Sequence, residues 1–394
     1  MPFLQLAARH KDEAHRAATT LELMFDLASV IAIAAAAVGL HHGIADGHWA
    51  QAVPGFLMAF FMIWWSWMNY TWFASAYDDG SAGFRILSLV TMFGALTIAA
   101  GIPAVFSGRP IVLVLLGFVI MRLSMALFWL GAARGDPARR KTALGYAAGI
   151  VLMQVFWVAL VLFQPPSAPS YPLLVVLGFA GELSVPAVSE RLGATTWHRH
   201  HIIERYGLMN IIVLGECFLA IVIMLRLDEA GTPAGAHGIL TAVTSAVITF
   251  SLWGLYFTRE DHLFTREDHL AGDELRRALI WGYGHFAIFA AGAATGAGFA
   301  VFHDVATGHA EISMRTASFA VAVPVAIYVA ALWVVRDRFR LAGWQLAILP
   351  VAALAVLVAP VLAAEALVPI AALLVVATIL RRAPTTPQEK VSAA

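Results

Sequence analysis

The sequence predicts an all-α, polytopic helical membrane protein with about twelve transmembrane helices. Three observations predict it. First, the 394 residues are 60% hydrophobic and only 13% charged, whereas a soluble domain is nearer half apolar and a quarter charged. Second, the apolar residues fall repeatedly into runs of the roughly 20 residues that cross a bilayer as a helix. Third, the basic residues alternate between connections. All but four of the 25 Lys and Arg lie in the amino-terminal arm, in every second connection or in the tail.

Taken in order, the runs lie at about 21–42, 52–76, 84–105, 110–133, 142–163, 171–189, 206–225, 238–257, 276–302, 316–335, 341–362 and 365–380. The first is too long for the core of a secretory signal and carries Glu22 and Asp26, so it reads as a retained span. Basic residues mark the cytoplasmic connections. They are Arg9, Lys11 and Arg16 in the arm, Arg85 after span 2, Arg134 to Lys141 after span 4 and Arg191 to Arg205 after span 6. Further groups are Arg259 to Arg277 after span 8, Arg336 to Arg340 after span 10, and Arg381, Arg382 and Lys390 in the tail. The opposite side holds only Arg109, Arg226 and Arg315, and Arg122 lies within a span. The alternation puts both termini in the cytoplasm. The zero formal net charge argues against a nucleic-acid partner. A single cysteine, Cys217, excludes an intrachain disulfide.

The polar connection 190–205 divides the chain into two six-helix halves, 1–190 and 191–394, which together form one integral membrane unit. Span 2 ends WSWMNYTWFAS and span 8 ends FSLWGLYFTRE. Because six spans return the chain to the same side, a repeat of this kind is parallel, about an axis along the membrane normal. One heptapeptide, FTREDHL, occurs twice in succession, at Phe257–Leu263 and Phe264–Leu270. Its alternating charges suit a solvated helix face; the other reading is a metal or partner site on His262 and His269, which share a helical face.

Ionisable groups inside a bilayer cost at least a few kcal/mol each and face a bundle interior or a wet cavity. Glu22 and Asp26 stand one turn apart in span 1 and share a face. Thr19 and Glu22 also fit a capping box, which leaves Asp26 in need of a partner. Arg122 in span 4 and Glu182 in span 6 each lie about 18 Å in from the outer side, and Glu216 in span 7 lies about 15 Å in from the inner side. Arg122 is expected to pair with Glu182 or Glu216, because an unpaired buried charge is costly. One arginine cannot neutralise Asp26, Glu182 and Glu216 together, so a surplus carboxylate holds a proton or a cation. Glycines precede both glutamates, at Gly181 and Gly215. They suit either a broken helix lining a cavity or close helix packing. Gly292 and Gly296 in span 9 read as packing.

Span 2 is dense in aromatic residues. Trp65, Asn69 and Trp72 recur at helical spacing, and Asp78 and Arg85 follow. They either line a cytoplasmic-side pocket or form an interfacial belt. Span 7 opens with His201, Glu204, Arg205 and Asn210, which complete this candidate pocket, with Arg205 the nearest basic group to Glu22 and Asp26. His285, near the middle of span 9, is either a proton relay or a hydrogen-bonded packing residue. No phosphate loop, HExxH, GxSxG or CxxC motif is present, and the sequence specifies neither a cofactor nor a metal site.

Three motifs carry a resemblance. ELMFDL at Glu22–Leu27, WWSWMNYTWFASAYDD at Trp64–Asp79 and HIIERYGLMNIIVLGE at His201–Glu216 together resemble the bacterial low temperature requirement protein A family, over residues 19 to at least 302. The family pattern maps onto Glu22, Phe25 and Asp26, onto Trp65, Asn69 and Asp78, and onto His201, Glu204, Arg205, Gly215 and Glu216. Tyr206, Cys217 and the duplicated FTREDHL depart from it. The resemblance implies an integral protein of the bacterial cytoplasmic membrane. It implies no chemical activity, because the family is named for a growth phenotype.

These observations favour a permease or channel-like secondary transporter for a small solute or ion. Proton linkage would run through Glu22, Asp26, Arg122, Glu182 and Glu216. The alternatives are a membrane-embedded enzyme or cofactor-binding protein built on the Trp65, Asn69 and Asp78 pocket, and a stress-related sensor or scaffold. The partners expected are the lipid bilayer and the solute or ion, and a homo-oligomer is compatible with the sequence.

Overall fold

The computed structural model describes residues 5–10, 13, 16–165, 167–226, 235–258, 274–339 and 341–382. Among them there are twelve α-helices and no strand. They are α1 (Thr20–Ala45), α2 (Trp49–Tyr77), α3 (Ala82–Phe106), α4 (Val112–Gly135), α5 (Arg140–Phe163) and α6 (Tyr171–Ser189). Then follow α7 (Arg199–Met224), α8 (Ala236–Phe257), α9 (Glu274–Ala306), α10 (Met314–Val335), α11 (Ile348–Leu362) and α12 (Leu367–Arg382). Each expected run coincides with one helix. Two starts differ. α7 begins at Arg199 rather than 206, so its charged opening is helical rather than a loop. The eleventh run opens as a 3₁₀ turn, Gly343–Ala347, before α11.

Among the described residues, ten helices are long and apolar enough to cross a membrane. α12, with 16 residues, and the aromatic-rich α2 are not among the ten. Apolar side chains stand exposed along the outer faces of the helices, among them Ile31, Phe93, Leu152, Leu162, Leu219 and Val243. Exposed apolar surface spread over so many helices is unstable in water and at home in lipid.

The chain forms two compact units. The first comprises residues 1–36 and 57–208, and the second 37–56 and 209–394. In the first unit α3 and α4 pack at glycines. A Cβ on Gly94 would come within 2.8 Å of the Gly117 carbonyl oxygen, and one on Gly117 within 2.6 Å of that of Gly94. Such backbone approach through small residues is how helices gain dispersion contact in a bilayer, where lipid is as apolar as leucine. In the second unit Gly296 lies against the backbone of Glu216, and Gly298 against that of Ala320. The packing reading of the span 9 glycines therefore holds at Gly296.

The amino-terminal arm is built into the first unit. Leu6 is fully buried, and its N–H donates to the Gly131 carbonyl at 3.2 Å. Arg9 reaches the last turn of α2 twice, N–H to the Ala76 carbonyl at 2.8 Å and Nη1 to the Asp78 carbonyl at 2.8 Å. Arg16 Nη2 donates to the Ala74 carbonyl at 2.8 Å. A helix leaves its last carbonyls without partners inside the helix, and cationic side chains suit that end of the helix dipole. The arm supplies both. The repeated FTREDHL lies almost wholly outside the described residues.

Candidate functional site

Two polar centres are buried in the first unit. The first joins α1, α2 and α7. Thr19 and Glu22 form the expected capping box: Thr19 N–H donates to Glu22 Oε2 at 2.8 Å, and Glu22 N–H to Thr19 Oγ1 at 3.3 Å. Glu22 Oε1 faces His201 Nε2 at 2.9 Å. One turn further along, Asp26 takes Arg205 in a two-pronged pair, Nη1 to Oδ2 at 2.6 Å and Nη2 to Oδ1 at 2.7 Å. Trp67 Nε1 donates to the same Asp26 Oδ1 at 2.7 Å. None of Glu22, Asp26, His201 and Arg205 is more than 1% exposed. Helical period explains the match. Glu22 and Asp26 are spaced i, i+4 on α1, and so are His201 and Arg205 on α7, so two turns of one helix read two turns of the other.

The rim of this centre is bound by the same elements. Trp72 Nε1 donates to Tyr206 Oη at 2.9 Å. Glu204 Oε1 accepts from Ala18 N–H at 3.3 Å, and His198 Nε2 lies 2.9 Å from the Glu13 carbonyl oxygen. Asp78 Oδ1 accepts from Gly80 N–H at 3.0 Å and shapes the turn into α3. Burial pushes the Asp78 carboxyl above its ordinary value. Glu13 moves the other way: its bond to Arg9 holds it below the ordinary range.

The second centre is Glu182. Arg122 Nη2 donates to Oε2 at 2.5 Å and Trp65 Nε1 to the same oxygen at 2.9 Å. Gln154 Nε2 and Trp157 Nε1 each donate to Oε1 at 3.2 Å. Arg122 and Glu182 are 1% and 0% exposed. The carboxylate, on α6, thus receives four donors from α2, α4 and α5. Such an arrangement satisfies its lone pairs and offsets the cost of burying the pair.

A comparison with known families identifies the chain. The model of the bacterial low temperature requirement A protein (LtrA) matches residues 17–381. The chain belongs to the LtrA family. No curated protein and no solved structure matches it. All three motifs that carried the resemblance contribute to these two buried centres: Glu22 and Asp26 from the first, Trp65, Trp67 and Trp72 from the second, His201 and Arg205 from the third.

Other expected residues stand apart from these centres. Asn69 turns its Nδ2 to the Trp65 carbonyl at 2.7 Å, within its own helix. Arg85 is exposed in the first turn of α3 and, among the described residues, its side chain has no hydrogen bond or ion pair to the other pocket residues. Asn210 belongs to the second unit, where its Oδ1 accepts from Tyr328 Oη at 2.8 Å. His285, also in the second unit, has Nδ1 2.7 Å from the Trp281 carbonyl and Nε2 3.1 Å from Tyr256 Oη. The carbonyl makes Nδ1 a donor, while either partner can donate in the Nε2–Tyr256 bond. Glu216 lies in the second unit and is 7% exposed. Among the described residues it has neither a hydrogen bond nor an ion pair.

Sequence reasoning missed Trp67, Gln154 and Trp157 as ligands of the carboxylates. Gln154 is a lone polar side chain in an apolar run, and that was the available signal. It also missed a pair in the second unit, His41 Nε2 to Asp304 Oδ2 at 2.6 Å.

Proposed function

We propose that this LtrA protein is a proton-linked secondary transporter in which Glu216 is the group that takes up and releases the proton. One observation carries the reading: of the four carboxylates Glu22, Asp26, Glu182 and Glu216, all inside helices that suit a membrane, only Glu216 lacks a partner among the described residues. Asp26 has Arg205, Glu182 has Arg122 and three further donors, and Glu22 has His201 and Thr19. A carboxylate kept from water with no countercharge is accommodated by a proton or a cation. The paired carboxylates serve as fixed charges that hold helices together. The cytoplasmic orientation of both termini, the twelve crossings and the two parallel halves belong to the same reading.

The cofactor-pocket alternative finds less support. Trp65 and Asn69 direct their donors to partners within the first unit, and Asp78 is engaged in a turn.

The test uses proteoliposomes with a trapped pH dye and a panel of amino acids, sugars, organic cations and monovalent metal ions. A solute that enters in the wild type changes the lumenal pH. Glu216→Gln keeps the shape and removes the titration, so that variant binds the same solute without the pH change. Wild-type coupling in Glu216→Gln refutes the assignment. A wild-type protein that moves nothing and instead retains a chromophore on purification transfers the reading to a cofactor-binding protein.

A further inference from the structure

The second unit carries a cluster of arginines that the transport reading does not use. At the end of α10, Asp337 is buried and shared. Arg336 Nε donates to its Oδ1 at 3.3 Å and Arg381 Nη2 to the same oxygen at 2.5 Å. Both arginines also grip the end of α8. Arg336 Nη2 donates to the Leu255 carbonyl at 2.6 Å and Nη1 to the Tyr256 carbonyl, while Arg381 Nη1 donates to the Leu255 carbonyl. The helix end supplies partial negative charge, so these two buried arginines are accounted for.

Their chain neighbours are not. Arg338 and Arg382 are both exposed, and neither has an ion pair or hydrogen bond among the described residues. The Asp337–Arg381 bond brings the two stretches together, and Arg382 also lies against Gly254 of α8. Two arginines therefore share one buried carboxylate, and an exposed arginine adjoins it on each stretch, Arg338 next to Asp337 and Arg382 next to Arg381.

The surroundings are apolar. Phe339 is 60% exposed with the Arg338 guanidinium 4.4 Å from its ring centre, and Trp344 is 56% exposed. Trp344 is presented outward because its turn is pinned: Trp333 Nε1 donates to the Leu346 carbonyl at 2.9 Å, and Gln345 is buried. Exposed Val351 and Leu354 on α11, and Val376 and Ile379 on α12, lead away from this end. Ile379 is three residues from Arg382, about 4.5 Å along the axis.

We propose that this end of α10, α11 and α12 is a binding site for an anionic phospholipid. Arg338 and Arg382 take the headgroup phosphate, Phe339 and Trp344 sit at the glycerol level, and the acyl chains lie along the exposed faces of α11 and α12. Uncommitted guanidinium groups above an apolar helix face, flanked by exposed aromatic rings, match a molecule with a phosphate at one end and hydrocarbon at the other. A free phosphate shares the headgroup chemistry and lacks the chains.

The full-length protein in phosphatidylcholine nanodiscs provides the test. Brominated phosphatidylglycerol or brominated phosphatidylcholine replaces a small fraction of the lipid. Quenching of Trp344 is taken as the difference between wild type and Trp344→Phe. Two arginines at about 1 kcal/mol each near an anionic headgroup predict on the order of 30-fold preference for phosphatidylglycerol over phosphatidylcholine at Trp344. Arg338→Gln/Arg382→Gln, which changes only exposed side chains, should abolish that preference and leave the melting temperature in phosphatidylcholine unchanged. Equal quenching by the two lipids overturns the proposal, as does an undiminished preference in the double variant. Thermal stabilisation by inorganic phosphate that needs both arginines, without preferential quenching by brominated phosphatidylglycerol, assigns the site to a free anion and also overturns it.

Discussion

Replacing Asp26 with Asn tests whether the α1–α7 pairing holds the first unit together. The substitution keeps the shape of the side chain and removes its charge. Arg205 then remains buried, fully out of solvent, facing a neutral amide in place of the carboxylate it held at 2.6 and 2.7 Å. Trp67 keeps an oxygen acceptor, so the loss falls on the ion pair. Removing one member of a buried pair costs about 3–5 kcal/mol, because the other charge is left uncompensated, whereas replacing both with apolar groups is often nearly neutral. Asp26→Asn and Arg205→Met should therefore each destabilise by about that amount. The double variant leaves no uncompensated charge, so its loss should fall well short of the sum of the singles. Equilibrium unfolding in mixed micelles of increasing SDS fraction, followed by tryptophan fluorescence and circular dichroism, measures all four corners of the cycle. Single variants that each cost under about 1 kcal/mol, or a double variant whose loss is the plain sum of the singles, refute the argument.

Three further predictions concern other parts of the first unit. Glu182→Gln leaves Arg122 without its carboxylate and should cost about 3 kcal/mol or more, while Gln154→Ala removes one of four donors and should cost about 1 kcal/mol; the reverse ranking in the same titration counts against the four-donor arrangement. Gly135→Ala places a Cβ on the Leu6 carbonyl, so limited proteolysis should cleave within the first 19 residues faster than in wild type, and an unchanged rate shows that the arm is not seated there. Asp78 has its carboxyl raised above 3.8 by burial, so the folded protein holds that proton more tightly than the unfolded chain. Its stabilising contribution is complete below 3.8 and is lost as pH rises through the folded value; Asp78→Asn should remove that decline, and an unaltered pH profile of stability would refute the assignment.

The helices were legible in the sequence because each is a local matter. A run such as 110–133 satisfies its own backbone hydrogen bonds wherever it lies, and lipid requires that it do so. The Thr19–Glu22 capping box was legible for the same reason, since its groups are three residues apart. The i, i+4 spacing of Glu22 and Asp26 also fixed a shared face, and Arg205 was the basic group expected nearest to them. Partner choice across helices was decided only by the tertiary structure. α1 and α4 are apolar on nearly all sides, so their pattern does not specify rotation or depth, and one residue of register turns a side chain by 100° and moves it about 1.5 Å. That is why the sequence left Arg122 open between Glu182 and Glu216, and, although Gln154 stood out as a lone polar residue in its run, did not say that Gln154 and Trp157 would complete the shell around Glu182. The arm shows the same division. Its basic residues were plain in the sequence, but Leu6 on Gly131 and Arg16 on Ala74 depend on where α2 and α4 end in space. Length, apolarity and spacing determined which segments are helices and which side chains share a face. The packing of one helix against another determined which carboxylates are neutralised, and left Glu216 without a partner among the described residues.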